Sequence, residues 1–150
     1  MGKALFKFFA VLCATAVVIQ LVPVDRTNPP VTAEISAPTQ VMTALRSSCY
    51  DCHSNETIWP WYSRLAPVSW MITDHVGDGR EQFNFSTWED LSEEDREDLR
   101  KEIWEEIEKG AMPLPSYLRM HPEARLSATY MEAVRRWAQG EAPRYPDWDR

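Results

Sequence analysis

Basic side chains are in short supply. Sixteen Lys and Arg stand against 23 Asp and Glu in 150 residues, a formal net charge of −7. The first 26 residues hold three of those cations and one of the acids, so the rest of the chain carries 13 basic and 22 acidic residues, a balance of −9. Nucleic-acid binding depends on Lys and Arg displacing counterions from phosphates, so this deficit argues against it and favours a partner with a basic surface. Missing as well is any stretch in which β-branched and polar residues alternate, so no sheet is expected, and no internal repeat is visible. No catalytic triad, phosphate loop or pair of catalytic acids can be picked out, which removes the usual grounds for reading the chain as an enzyme. Cysteine and histidine are scarce, three of each. Their scarcity gives weight to the place where they meet.

What the chain does have is apolar bulk at its start and aromatic bulk further on. Lys3 and Lys7 lead into an apolar run from Phe8 to Ile19, interrupted at Gln20 before Leu21 and Val22. Residues 1–24 therefore read as a signal anchor or signal peptide. Ala14-Thr15-Ala16 offers small residues for cleavage, but the run continues past them, so an uncleaved anchor is the favoured expectation. A bilayer takes about 20 apolar residues as helix, which the run approaches if extended from Leu5 to Val24. Positive charge at its N-terminal side keeps that end in the cytoplasm and exports the chain beyond Val24. Cys13 reads as a thiol buried in the membrane. Residues 25–40, with three prolines among polar residues, are expected to be a linker, extended rather than packed.

Residues 41–150 have the length of one domain. Seven Trp, five Tyr and five Phe suggest a small core filled with large flat side chains. Val41, Leu45 and Cys49 fall four apart on a short helix beginning near Pro38 and Thr39. From Trp59 to Trp70 the chain is too aromatic for a free loop and too rich in proline for one long helix, so an ordered loop with a helical turn is expected. Ser86-Thr87-Trp88-Glu89 and Ser92-Glu93-Glu94-Asp95 both carry the pattern of a capped helix start. Leu99, Ile103, Trp104 and Ile107 make an apolar stripe that Gly110 ends. A last helix is expected from Ser127 to Gln139, with Tyr130, Val134 and Trp137 on its inner face. The expected fold class is all-α, a small helical domain with long ordered loops behind an N-terminal membrane segment.

Cys49-Tyr50-Asp51-Cys52-His53 is a C-x-x-C-H motif, the signature of c-type haem attachment. Two thiols three positions apart on a helical turn reach the two vinyl groups of one haem edge, and the next residue brings a ring nitrogen under the iron. Rival chemistries fit less well. A dithiol redox site usually starts a helix in an α/β domain, which is not expected here. Structural zinc needs four ligands, and the missing two would come from the distant His75 and His121.

The second axial ligand is expected to be Met112, in a proline-stiffened loop 59 positions after His53. His75, His121 and Met120 are the alternatives. Trp59, Arg64 and Arg80 are candidates to donate to or pair with the haem propionates. The carbonyl next to Pro67 is a candidate partner for the second nitrogen of His53.

These residues carry a resemblance. The run Cys49-Tyr50-Asp51-Cys52-His53-Ser54-Asn55-Glu56-Thr57, followed by Trp59-Pro60-Trp61-Tyr62, Pro67-Val68-Ser69-Trp70, His75-Val76, Gly79-Arg80 and Asn84-Phe85-Ser86-Thr87-Trp88, resembles the bacterial haem-binding-domain family related to c-type cytochromes. Met112-Pro113, Tyr117, His121-Pro122 and Leu126-Ser127 continue it, so it covers nearly all of residues 41–138. The resemblance implies one covalent haem c with its iron in a cytochrome-c-like helical fold, on the periplasmic side of the bacterial inner membrane. Met112-Pro113 resembles the distal methionine loop of such cytochromes, while the tryptophan-rich segment departs from their simplest members. The function to expect is one-electron transfer with a redox partner protein and no substrate chemistry of its own. The alternative is a haem-based small-ligand sensor or peroxidase-like enzyme.

Overall fold

The computed structural model describes residues 2–141, and among these it contains seven α-helices, three short 3-10 turns and no strand. The all-α expectation is met. The first helix, α1 (Gly2–Ile19), is 18 residues long with a mean hydropathy of 1.9, and none of it is buried against the rest of the chain. At 1.5 Å per residue it is about 27 Å long, close to the roughly 30 Å of a bilayer's hydrocarbon core. By length and composition α1 suits a membrane anchor or a signal sequence.

Periodicity and capping explain most of the remaining helices. Helix α2 (Thr39–Ser48) buries Val41, Ala44, Leu45 and Ser48, spaced three and four apart on one face. Cys49 separates it from α3 (Tyr50–His53), a single turn that carries the end of the motif. Helix α5 (Glu93–Glu108) starts where the Ser92 hydroxyl accepts from the Asp95 amide and donates to the Asp95 carboxylate at 2.6 Å. Helix α7 (Ala128–Ala138) is capped by Ser127 in the same manner, through the Tyr130 amide. Both end at glycines with positive φ, Gly110 at 71° and Gly140 at 68°, where a side chain would be strained.

The other capping signal has a different outcome. Ser86 sits inside a 3-10 turn, Phe85–Asp90, which Asn84 caps. The Ser86 hydroxyl is buried and accepts from the Asn55 amide at 2.9 Å, so it ties two loops together and starts no helix. Between these elements lie α4 (Val68–Gln82) and the short α6 (Pro115–Met120). Further 3-10 turns occur at Trp61–Arg64 and Pro122–Ala124.

Helices α2 and α5 both pack on α7, and α3 packs on α4. The core between them is aromatic. Tyr50 stacks on Phe85 with centroids 5.3 Å apart, Phe85 meets Trp88 at 5.7 Å, and Trp88 meets Trp137 at 6.3 Å. Leu45, Ile103, Ile107 and Val134 close around them. Trp88, with only 2% of its surface exposed, lies at the centre of this chain of rings. Trp88→Ala should lower stability by about 3–5 kcal/mol, the cost of emptying a large site that cannot collapse, read from the midpoint of urea unfolding.

Residues 25–40 correct the expectation of an unpacked linker. The stretch is extended as far as Pro38, but it is stitched to the domain. The amides of Thr32 and Ala33 donate to the Ser86 carbonyl, and that of Ile35 to the Phe85 carbonyl. Ile35 is itself buried in the core. Arg26 donates to the Ser63 carbonyl and Asn28 to that of Thr57. Composition read these residues as loose because their polar atoms look solvated, whereas backbone carbonyls of Phe85, Ser86, Thr57 and Ser63 supply their partners.

Candidate functional site

The turn of α3 places Cys49, Cys52 and His53 along one crevice of about 450 Å³, within the ordinary range for a small-molecule site. The facing parts of the crevice come from three other elements. His75, Asp78, Gly79 and Gln82 line it from α4, Ile103, Glu106 and Ile107 from α5, and Met112, Pro113 and Leu114 from the loop ahead of α6.

His53 is fixed on both sides. Its Nδ1 is 2.9 Å from the carbonyl oxygen of Gly79, and its ring stacks on Phe83 with centroids 4.1 Å apart and planes 9° off parallel. A carbonyl accepts only, so Nδ1 carries the proton and Nε2 keeps its lone pair, which is the state a metal ligand requires. Burial holds the imidazole below its ordinary pKa, against the Phe83 and Gly79 carbonyls, which act in the opposite sense. The ring is therefore neutral at neutral pH. The partner is the Gly79 carbonyl on α4, and the expectation of a carbonyl beside Pro67 is corrected.

Gly79 also sets how closely α4 approaches α3. A Cβ there would lie 2.7 Å from the Cys52 carbonyl oxygen and 3.1 Å from its carbon. A residue with any side chain would push the helix away from the motif.

Burial raises both thiols, Cys49 to about 12 and Cys52 to about 11, and a neighbouring acidic group adds to each, the Cys52 thiol for Cys49 and the Asp51 carboxylate for Cys52. Dithiol redox centres and zinc sites need the reverse, a stabilised thiolate. Among the described residues no group of three or more His, Cys, Asp and Glu converges as a metal cage. A flat group joined at its edge to two neutral sulfurs and met by one free imidazole nitrogen fits these donors better than a bare ion.

The residues after the motif form a polar frame that sequence reasoning left unassigned. The Ser54 hydroxyl donates to the Tyr50 carbonyl at 2.7 Å, and Asn55 donates to the Pro30 carbonyl while accepting from Asn84. The Thr57 hydroxyl donates to the Asp51 carbonyl at 2.8 Å. Arg80 completes the frame through Nε to the Ser54 carbonyl and through Nη2 to the Thr57 hydroxyl and Asn28. The signal for this frame was the small polar set Ser54, Asn55 and Thr57, whose buried positions only the fold reveals.

Of the residues expected at the site, the crevice gathers Cys49, Cys52, His53, His75 and Met112. Trp59 and Arg80 line a separate cavity with Trp70, and their donors are directed elsewhere, Trp59 to Asn28 and Arg80 to the polar frame. Arg64 is exposed on its 3-10 turn. None of these three lines the crevice that holds the motif. Among the described residues lining the crevice there is no Lys or Arg, while Asp51, Asp78, Glu102 and Glu106 are all present.

His121 is outside the crevice and both its nitrogens are engaged, Nε2 with the Tyr62 hydroxyl at 2.5 Å and Nδ1 with Glu123 at 3.1 Å. It stacks on Tyr117, whose hydroxyl donates to Asp51 at 2.7 Å. Burial and this bond to a carboxylate both push the Tyr117 hydroxyl's pKa up. Met120 is exposed on α6. His75 lies one turn before Gly79 on the helix that holds His53, so it belongs to the same wall as the His53 partner. Met112 comes from a different element.

A family model described as a haem-binding domain matches residues 14–140. No curated protein and no solved structure matches the chain.

Proposed function

Because the chain belongs to the haem-binding domain family, we propose that its crevice holds one haem c, attached through Cys49 and Cys52 and ligated by His53 and Met112, and that the protein carries single electrons. One observation supports this most: a protonated Nδ1 bound to Gly79 and a neutral Nε2 with its lone pair free stand in the same crevice as two protonated thiols and a thioether from another element. When bound, the haem supplies an iron that takes up and releases one electron. The chain's own residues do the rest. Gly79 and Phe83 fix the His53 ring against rotation, which preserves ligand basicity. Thioether ligation by Met112 raises the reduction potential relative to a second histidine. The acid-lined rim suits a redox partner with a basic surface. Helix α1 would hold the domain at the periplasmic face of the inner membrane.

The test is an intact-mass measurement with a haem stain on a denaturing gel, made on chain matured in a host that attaches haem. The expected result is a mass increased by one haem and a stained band; a bare polypeptide would sink the proposal. Met112→Ala should abolish the methionine-to-iron charge-transfer band of the oxidised protein and let carbon monoxide bind the reduced form. A band that persists in that variant removes Met112 as ligand, and rapid carbon monoxide binding by the unaltered protein favours a ligand sensor.

A further inference from the structure

We propose that the tryptophan-rich segment 58–71 rests on the surface of the bilayer that α1 crosses, so that the domain lies docked on the membrane; this rests on reading α1 as a span. The segment presents apolar surface that none of the described residues covers. Ile58 is 78% exposed and Trp61 72%, and Leu65, Val68 and Met71 are exposed beside them. Soluble surfaces scatter such residues singly, whereas a contiguous set marks an interaction site. Indole rings favour the headgroup level of a bilayer, where one part meets hydrocarbon and the N–H stays wet.

The place where α1 ends identifies the occupant. Gln20, just beyond the helix, is held to Ala66 by two bonds, its amide nitrogen donating to the Ala66 carbonyl at 3.2 Å and its oxygen accepting the Ala66 amide at 3.1 Å. Arg26 then donates to the Ser63 carbonyl at 3.1 Å. The point at which the chain leaves the membrane is thus pinned to the middle of the exposed segment. Charge agrees with this placement. The only ionisable acid or base of the Asp, Glu, Lys and Arg types in 58–71 is Arg64, in a domain that otherwise carries a large acidic excess. With Asp25 and Asp74 lining the cavity beside Trp59 and Trp70, the face is close to balanced in charge, so an anionic leaflet would repel it less than the acidic remainder.

Docking also sets the height of the crevice. Val68 and Met71 continue along α4 into His75, Gly79 and Gln82 at steps of three and four, so the apolar patch and the crevice wall share one stripe of the helix. Eight residues from Met71 to Gly79 correspond to about 12 Å of rise.

The test uses the full chain in phosphatidylcholine–phosphatidylglycerol vesicles whose acyl chains carry bromine near the headgroups. The first tryptophan of the sequence is Trp59, so α1 contributes no signal and any bromine quenching reports on the exported part. Emission should be quenched relative to unbrominated vesicles, and Trp61→Ser combined with Leu65→Ser and Met71→Ser should lose most of that quenching while keeping the helical circular-dichroism spectrum. Carbonate extraction of the same vesicles is read alongside. Chain that stays in the pellet but is unquenched, or is quenched equally in the triple variant, overturns the docking alone. Chain released by carbonate overturns the anchoring, and the docking with it.

Discussion

Gly79→Ala should destabilise the domain by about 1–3 kcal/mol, while Gly77→Ala, two positions away on the same helix, should stabilise it by up to about 1 kcal/mol. Both replace a helical glycine, so both gain the propensity of alanine; only their surroundings differ. At Gly77 a Cβ meets nothing within 4 Å. At Gly79 it lands 2.7 Å from a backbone oxygen of Cys52, with the carbonyl carbon and Cβ of the same residue at 3.1 and 3.2 Å. Two of those three atoms are main chain, and no side-chain rotation removes them. Helix α4 must back away from α3, which stretches the 2.9 Å bond that holds His53. Equilibrium unfolding in urea measures both variants. Equal effects would mean that the close approach of α4 to the motif carries no strain.

Cys49→Ser combined with Cys52→Ser should leave no haem on the denatured chain, since serine has no sulfur with which to form a thioether. The added mass and the stained band should both disappear. The chain before maturation offers a second readout. With burial raising the two thiols to about 12 and about 11, almost none is thiolate at pH 8. Alkylation of the folded apo chain should therefore be on the order of a hundredfold or more slower than that of the urea-unfolded chain. Rapid alkylation of the folded chain would favour a redox dithiol over a cofactor attachment site.

Much of this architecture was legible where local chemistry decides it. Ser92 and Ser127 announced helix starts because a capping hydroxyl acts within three residues. The Val41–Leu45 spacing announced a buried face for the same local reason. The motif at 49–53 stands out as chemistry, and the fold places it in one crevice with His75 and Met112.

What was not legible depends on partners remote in sequence. Helix α4 has no Leu or Ile stripe; the residues it buries are Ser69, Val76 and Gly79. They are small because the helix must come close to the motif, and that same smallness hides it from a periodicity argument. Pro67 is nearer to His53 in sequence than Gly79 is, but the bond to His53 depends on which backbone oxygen the packing of α4 brings within reach. Ser54, Asn55 and Thr57 read as a polar loop, although all three are buried. Their partners come from segments as far away as Pro30 and Ser86.

The stitched segment after α1 leaves little slack between that helix and the domain. A loose tether would let the crevice sweep a hemisphere and sample soluble molecules; here Gln20 is fastened directly after the helix end, and Arg26 and Asn28 are fastened before the chain reaches α2. On the proposed reading of α1 as a span, the domain would be mounted as on a short mast and would travel with its lipid neighbours. The proposed electron exchange would then be an encounter in two dimensions, where collision frequency is set by how many partners share the same plane and how fast they diffuse along it.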